Sequence, residues 1–168
     1  MKHISYIQEN LDEIIKKTNQ KVKTLKTLLD YNSISTKLKS ELISNFLETS
    51  FQEVLDEVEA PKSDHLPDLL IKEDALEIKT AKTTRKWRGG QYSKRESDYL
   101  LVSYDDSEDE LKWFFLYTYL TEDDWKNSKS DNYYATTINL DYVLDNKDYI
   151  ILKGEVEKKI KLKHLICA

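Results

Sequence analysis

A chain of 168 residues holds one ordinary domain and is short for two, so 1–168 reads as a single unit. Charged residues (34%) nearly match apolar ones (39%), and only three glycines and two prolines occur, which excludes collagen-like and Pro/Gly-rich disordered chains. The net charge of −5 argues against a general polyanion coat, no apolar run approaches the roughly 20 residues that cross a bilayer, and the first residues do not form a signal peptide. The lone Cys167 fits a reducing cytoplasm and, beside three scattered histidines, argues against structural zinc. The expected location is cytoplasmic, with no membrane partner.

In chain order, Ile4, Ile7, Leu11, Ile14, Leu25 and Leu28 recur at three- and four-residue steps and predict a helix over about 4–30, its stripe weakening at Thr18 and Lys21. Asn32-Ser33-Ile34-Ser35 breaks it. Leu38, Leu42, Phe46, Leu47, Phe51, Val54, Leu55 and Val58 predict a second helix to about 59, stopped by Pro61. Residues 1–60 are thus mainly helical, and the first helix is a candidate dimer interface that can equally complete the core. Residues 61–120 turn to strands: a hairpin of Leu66–Lys72 and Ala75–Thr80, then Tyr99–Tyr104 and Lys112–Leu120. A polar loop over 121–132 has room for one helical turn, and residues 121–168 add C-terminal strands at Tyr149–Leu152 and Lys159–Ile166. Helices first and strands after predict an α+β domain, a mixed central sheet flanked by helices with its site at one sheet edge.

Chemistry concentrates in the hairpin. Alternation puts Leu76 and Ile78 on one face of its second strand and Glu77 and Lys79 on the other. If Glu73-Asp74 form the turn, Asp68 stands opposite Lys79 with Glu77 on the diagonal, about 5 Å and 7–8 Å away. Two carboxylates and an ammonium then meet at one end. Hard divalent ions take carboxylate oxygens, and Mg²⁺ uses one or two of them with water and substrate phosphate. Asp68 and Glu77 meet that need, with the Ile78 carbonyl as a further ligand and Lys79 to orient the attacking water and balance charge on phosphate. As bare charges on a strand the pattern is common, and its place directly before a basic segment gives it weight.

Pro67-Asp68 followed by Glu77-Ile78-Lys79 resembles the PD-(D/E)xK nuclease superfamily, and within it the small type II restriction endonucleases, over roughly residues 40–120. The resemblance implies a restriction-endonuclease-like fold, Mg²⁺ on Asp68 and Glu77, a catalytic Lys79, and double-stranded DNA as substrate, cut at a short specific site. It also implies a homodimer and a cognate DNA methyltransferase in the same cell. A further glutamate often comes from the preceding helix in that family, which points to Glu48. Its spacing from Phe51 and Leu55 sets it at the border of the apolar face, although Ser44 stands where the family often has glycine. A structure-specific repair or junction nuclease and a non-catalytic DNA-binding module are the alternatives.

From Lys79 to Arg95 there are seven basic residues and no acid, and all three arginines of the protein lie there. This segment reads as a DNA-binding loop: Lys82, Lys86 and Lys94 for phosphate, and Arg85, Arg88, Arg95 and Gln91 for phosphate or base edges. Gly89-Gly90 permit a tight turn, and Trp87 packs beneath the loop more readily than it stacks on a base. Asp64-His65-Leu66-Pro67 resembles the start of an HNH motif, but no suitably spaced Asn and His follow.

Overall fold

Two long helices lead, and polar residues in their shared face do not interrupt them. The computed structural model describes residues 3–63, 65–89, 96–127 and 136–156. Helix α1 spans Ile4–Leu28 and α2 spans Thr36–Val54, joined through a short 3-10 turn at Tyr31–Ser33. Thr18 stays on the buried face because its hydroxyl donates to the Ile14 carbonyl at 2.8 Å. Lys21 reaches across to α2, donating to Thr49 Oγ1 at 2.9 Å and pairing with Glu53 at 2.8 Å. Helix α2 starts at Ser35, whose hydroxyl accepts from the Leu38 amide at 3.3 Å, one of the helix's orphan donors.

Helix α2 ends at Val54, short of the expected 59, and Pro61 is not what stops it. Glu57 turns to a left-handed φ of 57°, and Val58–Glu59 become β1, pairing with β2 (Leu69–Ile71). Val54, Leu55 and Val58 suit a helix by spacing, but sheet pairing wins at the end.

Strand β2 pairs with β3 (Asp74–Ala81), which runs parallel to β5 (Ser97–Asp105). Then β6 (Lys112–Leu120) and β9 (Tyr149–Lys153) complete a six-stranded mixed sheet of order β1-β2-β3-β5-β6-β9. The protein is therefore α+β with an N-terminal helical segment. Among the described residues no helix is long and apolar enough to cross a membrane.

The sheet is buried on both faces. On one, Leu76, Ile78, Leu100, Val102 and Phe115 meet Ile7, Leu11, Ile14, Ile43, Leu47 and Phe51 of the two helices. The apolar face of α1 is thus used inside the monomer, where it completes the core. The other face carries Ala81, Tyr99, Leu101, Phe114 and Leu116 under a second layer. That layer is a three-stranded sheet, β4 (Lys86–Gly89), β8 (Thr136–Asn139) and β7 (Lys126–Asn127), followed by α3 (Leu140–Asn146). Part of the expected basic loop is therefore a strand. The expected helical turn in the loop over 121–132 is a 3-10 turn at Glu122–Asp124. The expected strand Lys159–Ile166 lies outside the described residues.

Candidate active site

The β2–β3 hairpin pairs Leu69 with Leu76, Leu70 with Ala75 and Ile71 with Asp74. Its turn is therefore Lys72-Glu73, with φ of 49° and 72°, and not Glu73-Asp74. The register differs by two residues from the expected one. Side chains alternate with period two, so a slip of two leaves every residue on its expected face, where a slip of one would have scattered the acids. Continuing the register sets Asp68 opposite Glu77 and Pro67 opposite Ile78.

Proline explains why the ladder stops there. It has no N–H to give the Ile78 carbonyl, so β2 leaves β3 at this point. The Asp68 carboxylate takes over, accepting from the Ile78 amide at 2.8 Å. The site thus lies where two strands part inside the sheet, not along its outer edge.

Lys79 fills the opening. Its Nζ donates to Asp68 Oδ2 at 3.1 Å, to the Ile78 carbonyl at 3.3 Å and to Glu77 Oε2 at 3.4 Å. The Glu77 side chain is only 3% exposed and Lys79 14%, whereas Asp68 at 28% forms the mouth. The sequence predicted convergence of these three side chains and the Ile78 carbonyl, and the fold delivers it.

Glu48 joins from α2, with Oε1 accepting from the Ser44 hydroxyl at 3.3 Å. Burial pushes its carboxyl up to about 7, and the charges of Asp68 and, more weakly, Glu77 add to that; Ser44 and Lys79 oppose it. Glu48 therefore lies within the field of all three charged residues. Ser44, noted in the sequence only as a departure from the family pattern, is its hydrogen-bond partner.

The donor set suits a hard cation. Two carboxylates and a carbonyl converge on one ammonium. Among the described residues no three His, Cys, Asp or Glu side chains group tightly enough to ligate one ion. Protein ligation would then be two carboxylates plus the Ile78 carbonyl, with water and phosphate for the rest, a division typical of Mg²⁺. Ligand bonds of about 2.1 Å also require the ammonium to move aside.

The basic segment divides. Lys82 Nζ donates to Asp106 Oδ1 at 3.2 Å, and Tyr31 donates to the other oxygen of the same carboxylate at 3.0 Å. Burial works against the Asp106 charge, but these two hydrogen bonds together with the charges of Lys82 and Lys39 outweigh it and hold the carboxyl below its usual range. Arg85 lies over the Phe114 ring at 4.1 Å and donates to the Glu155 carbonyl at 3.0 Å. Lys82 and Arg85, both expected DNA contacts, are thus engaged within the molecule while staying partly exposed, because the fold sets a carboxylate and an aromatic face against them. Lys86 and Arg88 are exposed on β4, while Trp87 between them is fully buried and donates to the Val102 carbonyl at 2.8 Å. Gln91, Lys94 and Arg95 lie outside the described residues, as does Gly90. His65 is exposed in the loop before the hairpin.

No protein-family model matches this chain, and no curated protein matches it either.

Proposed function

We propose that the protein is a Mg²⁺-dependent type II restriction endonuclease of the PD-(D/E)xK superfamily, with a restriction-endonuclease-like fold, hydrolysing double-stranded DNA at a short specific site. One observation carries this reading: Asp68, Glu77 and the Ile78 carbonyl surround a single cationic group at the point where β2 parts from β3. A mixed sheet whose motif hairpin packs its apolar side, Leu76 and Ile78, on α2 also supports it.

Asp68 and Glu77 would hold the ion, with the Ile78 carbonyl as a third ligand. When bound, Mg²⁺ supplies Lewis-acid stabilisation and lowers the pKa of a ligated water. Glu77, at the base, fixes position because its buried carboxylate cannot wander. Asp68, at the mouth, keeps one oxygen tied to the Ile78 amide and so enters the site already oriented. Lys79, released from the carboxylates, directs its charge at the scissile phosphate and stabilises the charge that builds there. Attack of the water oxygen on phosphorus breaks the P–O3′ bond. The water gives up its proton to solvent at the open side, the 3′ oxygen gains one, and a 5′-phosphate and 3′-hydroxyl remain. One centre per chain cuts one strand, so a palindromic site calls for a two-fold homodimer. The host is expected to carry a matching DNA methyltransferase in its cytoplasm.

Digestion of a mixed-sequence plasmid in Mg²⁺ and in EDTA tests the reading, with Asp68→Ala as control. Discrete Mg²⁺-dependent fragments, lost in the variant, are expected. Cutting confined to branched DNA would replace restriction with junction resolution. A wild type that never cleaves, or a variant that cleaves as well, would reject the enzyme.

A further inference from the structure

The small sheet β4-β8-β7 turns one face to the core and the other outward, and the two faces differ completely in chemistry. Inward go Trp87, Gly89, Thr136 and Ile138, all buried. Outward go Lys86 and Arg88 of β4, Thr137 and Asn139 of β8, and Lys126 of β7. Pairing sets Arg88 beside Thr137 and Thr137 beside Lys126, which makes a row straight across three strands. Strands lie about 4.8 Å apart, so the two cations of the row are separated by roughly 10 Å.

We infer that this outer face is a docking surface for a DNA duplex, with Lys86 and Lys126 on phosphates and Arg88 presented to phosphate or a guanine edge. The inference deepens the nuclease reading and rests on it for the choice of DNA as the polyanion. Charge is the first reason: three cations and no acid occupy these outward positions of a protein whose net charge is −5. Neither Lys86 nor Arg88 makes an ion pair with a described residue, in contrast to Lys82 and Lys147, which are paired with Asp106 and Asp124.

A second reason separates duplex from single strand. Single strands are held by bases stacked on exposed aromatics, and among the described residues the outward positions of these three strands carry none; the partly exposed Tyr142 ring of α3 lies under Lys126 at 5.9 Å. Its two tryptophans, Trp87 and Trp125, are 0% and 5% exposed and belong to the core below. Among the described residues the face also lacks the apolar centre that a protein partner would need. Position is the third reason. Strand β4 packs against β3, on the side of the main sheet to which Glu77, Lys79 and Ala81 project. Asn139 has a different duty, since its Oδ1 caps α3 by accepting from the Tyr142 amide at 2.9 Å, which leaves it no bidentate pairing with adenine.

Fluorescence anisotropy with a labelled mixed-sequence duplex of about 25 base pairs, in EDTA so that nothing is cut, tests the surface. The triple variant Lys86→Ala, Arg88→Ala, Lys126→Ala is expected to bind at least about tenfold more weakly at low salt, with the slope of log K against log salt reduced by two to three. Lys16→Ala, on the helical layer across the main sheet, is expected to change binding less than about twofold. All three altered side chains point outward, and an unchanged melting temperature checks that the fold persists. A triple variant that binds as wild type does, a wild type that binds no duplex, or one that prefers a single strand of equal length overturns the inference. The nuclease reading fails separately: wild type that binds through this face yet never cleaves in Mg²⁺ leaves the surface standing and removes the enzyme. Cleavage and binding both unaffected in the triple variant do the reverse.

Discussion

Lys79 and Lys82 on β3 and just past it, and Lys86 and Arg88 on β4, carry the same charge within ten positions of one another, yet they end in opposite circumstances. The first pair is held by carboxylates, Asp68 and Glu77 for one and Asp106 for the other. The second pair faces water on the outside of a small sheet. Arg85 stands between them at a φ of 48°, its guanidinium laid over Phe114, and marks where the chain crosses from the central sheet to the layer above. A run of basic residues is therefore not one binding patch. What the fold sets opposite each cation decides whether it holds the structure together or remains free for a ligand.

The strongest way to break this comparison is to remove the inward cation. Lys79→Met leaves two carboxylates facing each other without their partner, and a loss on the order of 3 kcal/mol in metal-free stability is expected. Because the ammonium no longer competes for the oxygens, Mg²⁺ should raise the melting temperature of this variant more than that of wild type. Equal shifts in a thermal melt would separate Lys79 from the cation site. Cleavage should fall by at least about a hundredfold.

Glu48 sharpens the same contrast through pH. Its folded carboxyl titrates near 7 against an ordinary 4.5, so folding favours the protonated form, and wild type should lose stability as pH rises from about 4.5 through 7. Glu48→Gln does not titrate. In EDTA the variant's advantage should be near zero at pH 4 and grow to about 2 kcal/mol at pH 8 by urea denaturation. A pH-independent difference would show that burial and the neighbouring charges do not raise the Glu48 carboxyl.

Arg85 and Arg88 form a matched pair for the outward side. Arg85→Ala should cost about 1–2 kcal/mol of stability through the lost ring contact and hydrogen bond. Arg88→Ala should cost less than about 0.5 kcal/mol and instead weaken DNA binding. Similar stability losses would erase the division between them. The smallest effect belongs to the hairpin turn. Glu73→Gly relieves a left-handed backbone at φ 72° and should stabilise by about 1 kcal/mol, read from the urea midpoint with the site unchanged.

Much of this was legible in the residues themselves. The spacing of Ile7, Leu11 and Ile14 specifies α1, and Lys112–Leu120 is a strand with the bounds its apolar run suggests. Asp68, Glu77 and Lys79 fall on one face because alternation is a local property. It survived an error of two in the register, since Lys72-Glu73 form the turn without the Gly or Asn that would have announced it. Less visible were β8 and α3. The alternation in Thr136–Asn139 is only four residues long, and α3 has seven residues, too short for a periodic signal.

By itself, then, the sequence determined the order of helices and strands and the shared face of the hairpin charges, because both follow from side-chain period along a few neighbouring residues. Only the tertiary structure decided that Lys82 pairs with Asp106 and Arg85 lies over Phe114, that α1 completes the core, that burial and the hairpin charges act on Glu48, and that Lys126 lines up with Arg88. Each of those depends on a partner 20 or more positions away, and pairing at such distances is set by how the layers close over the central sheet.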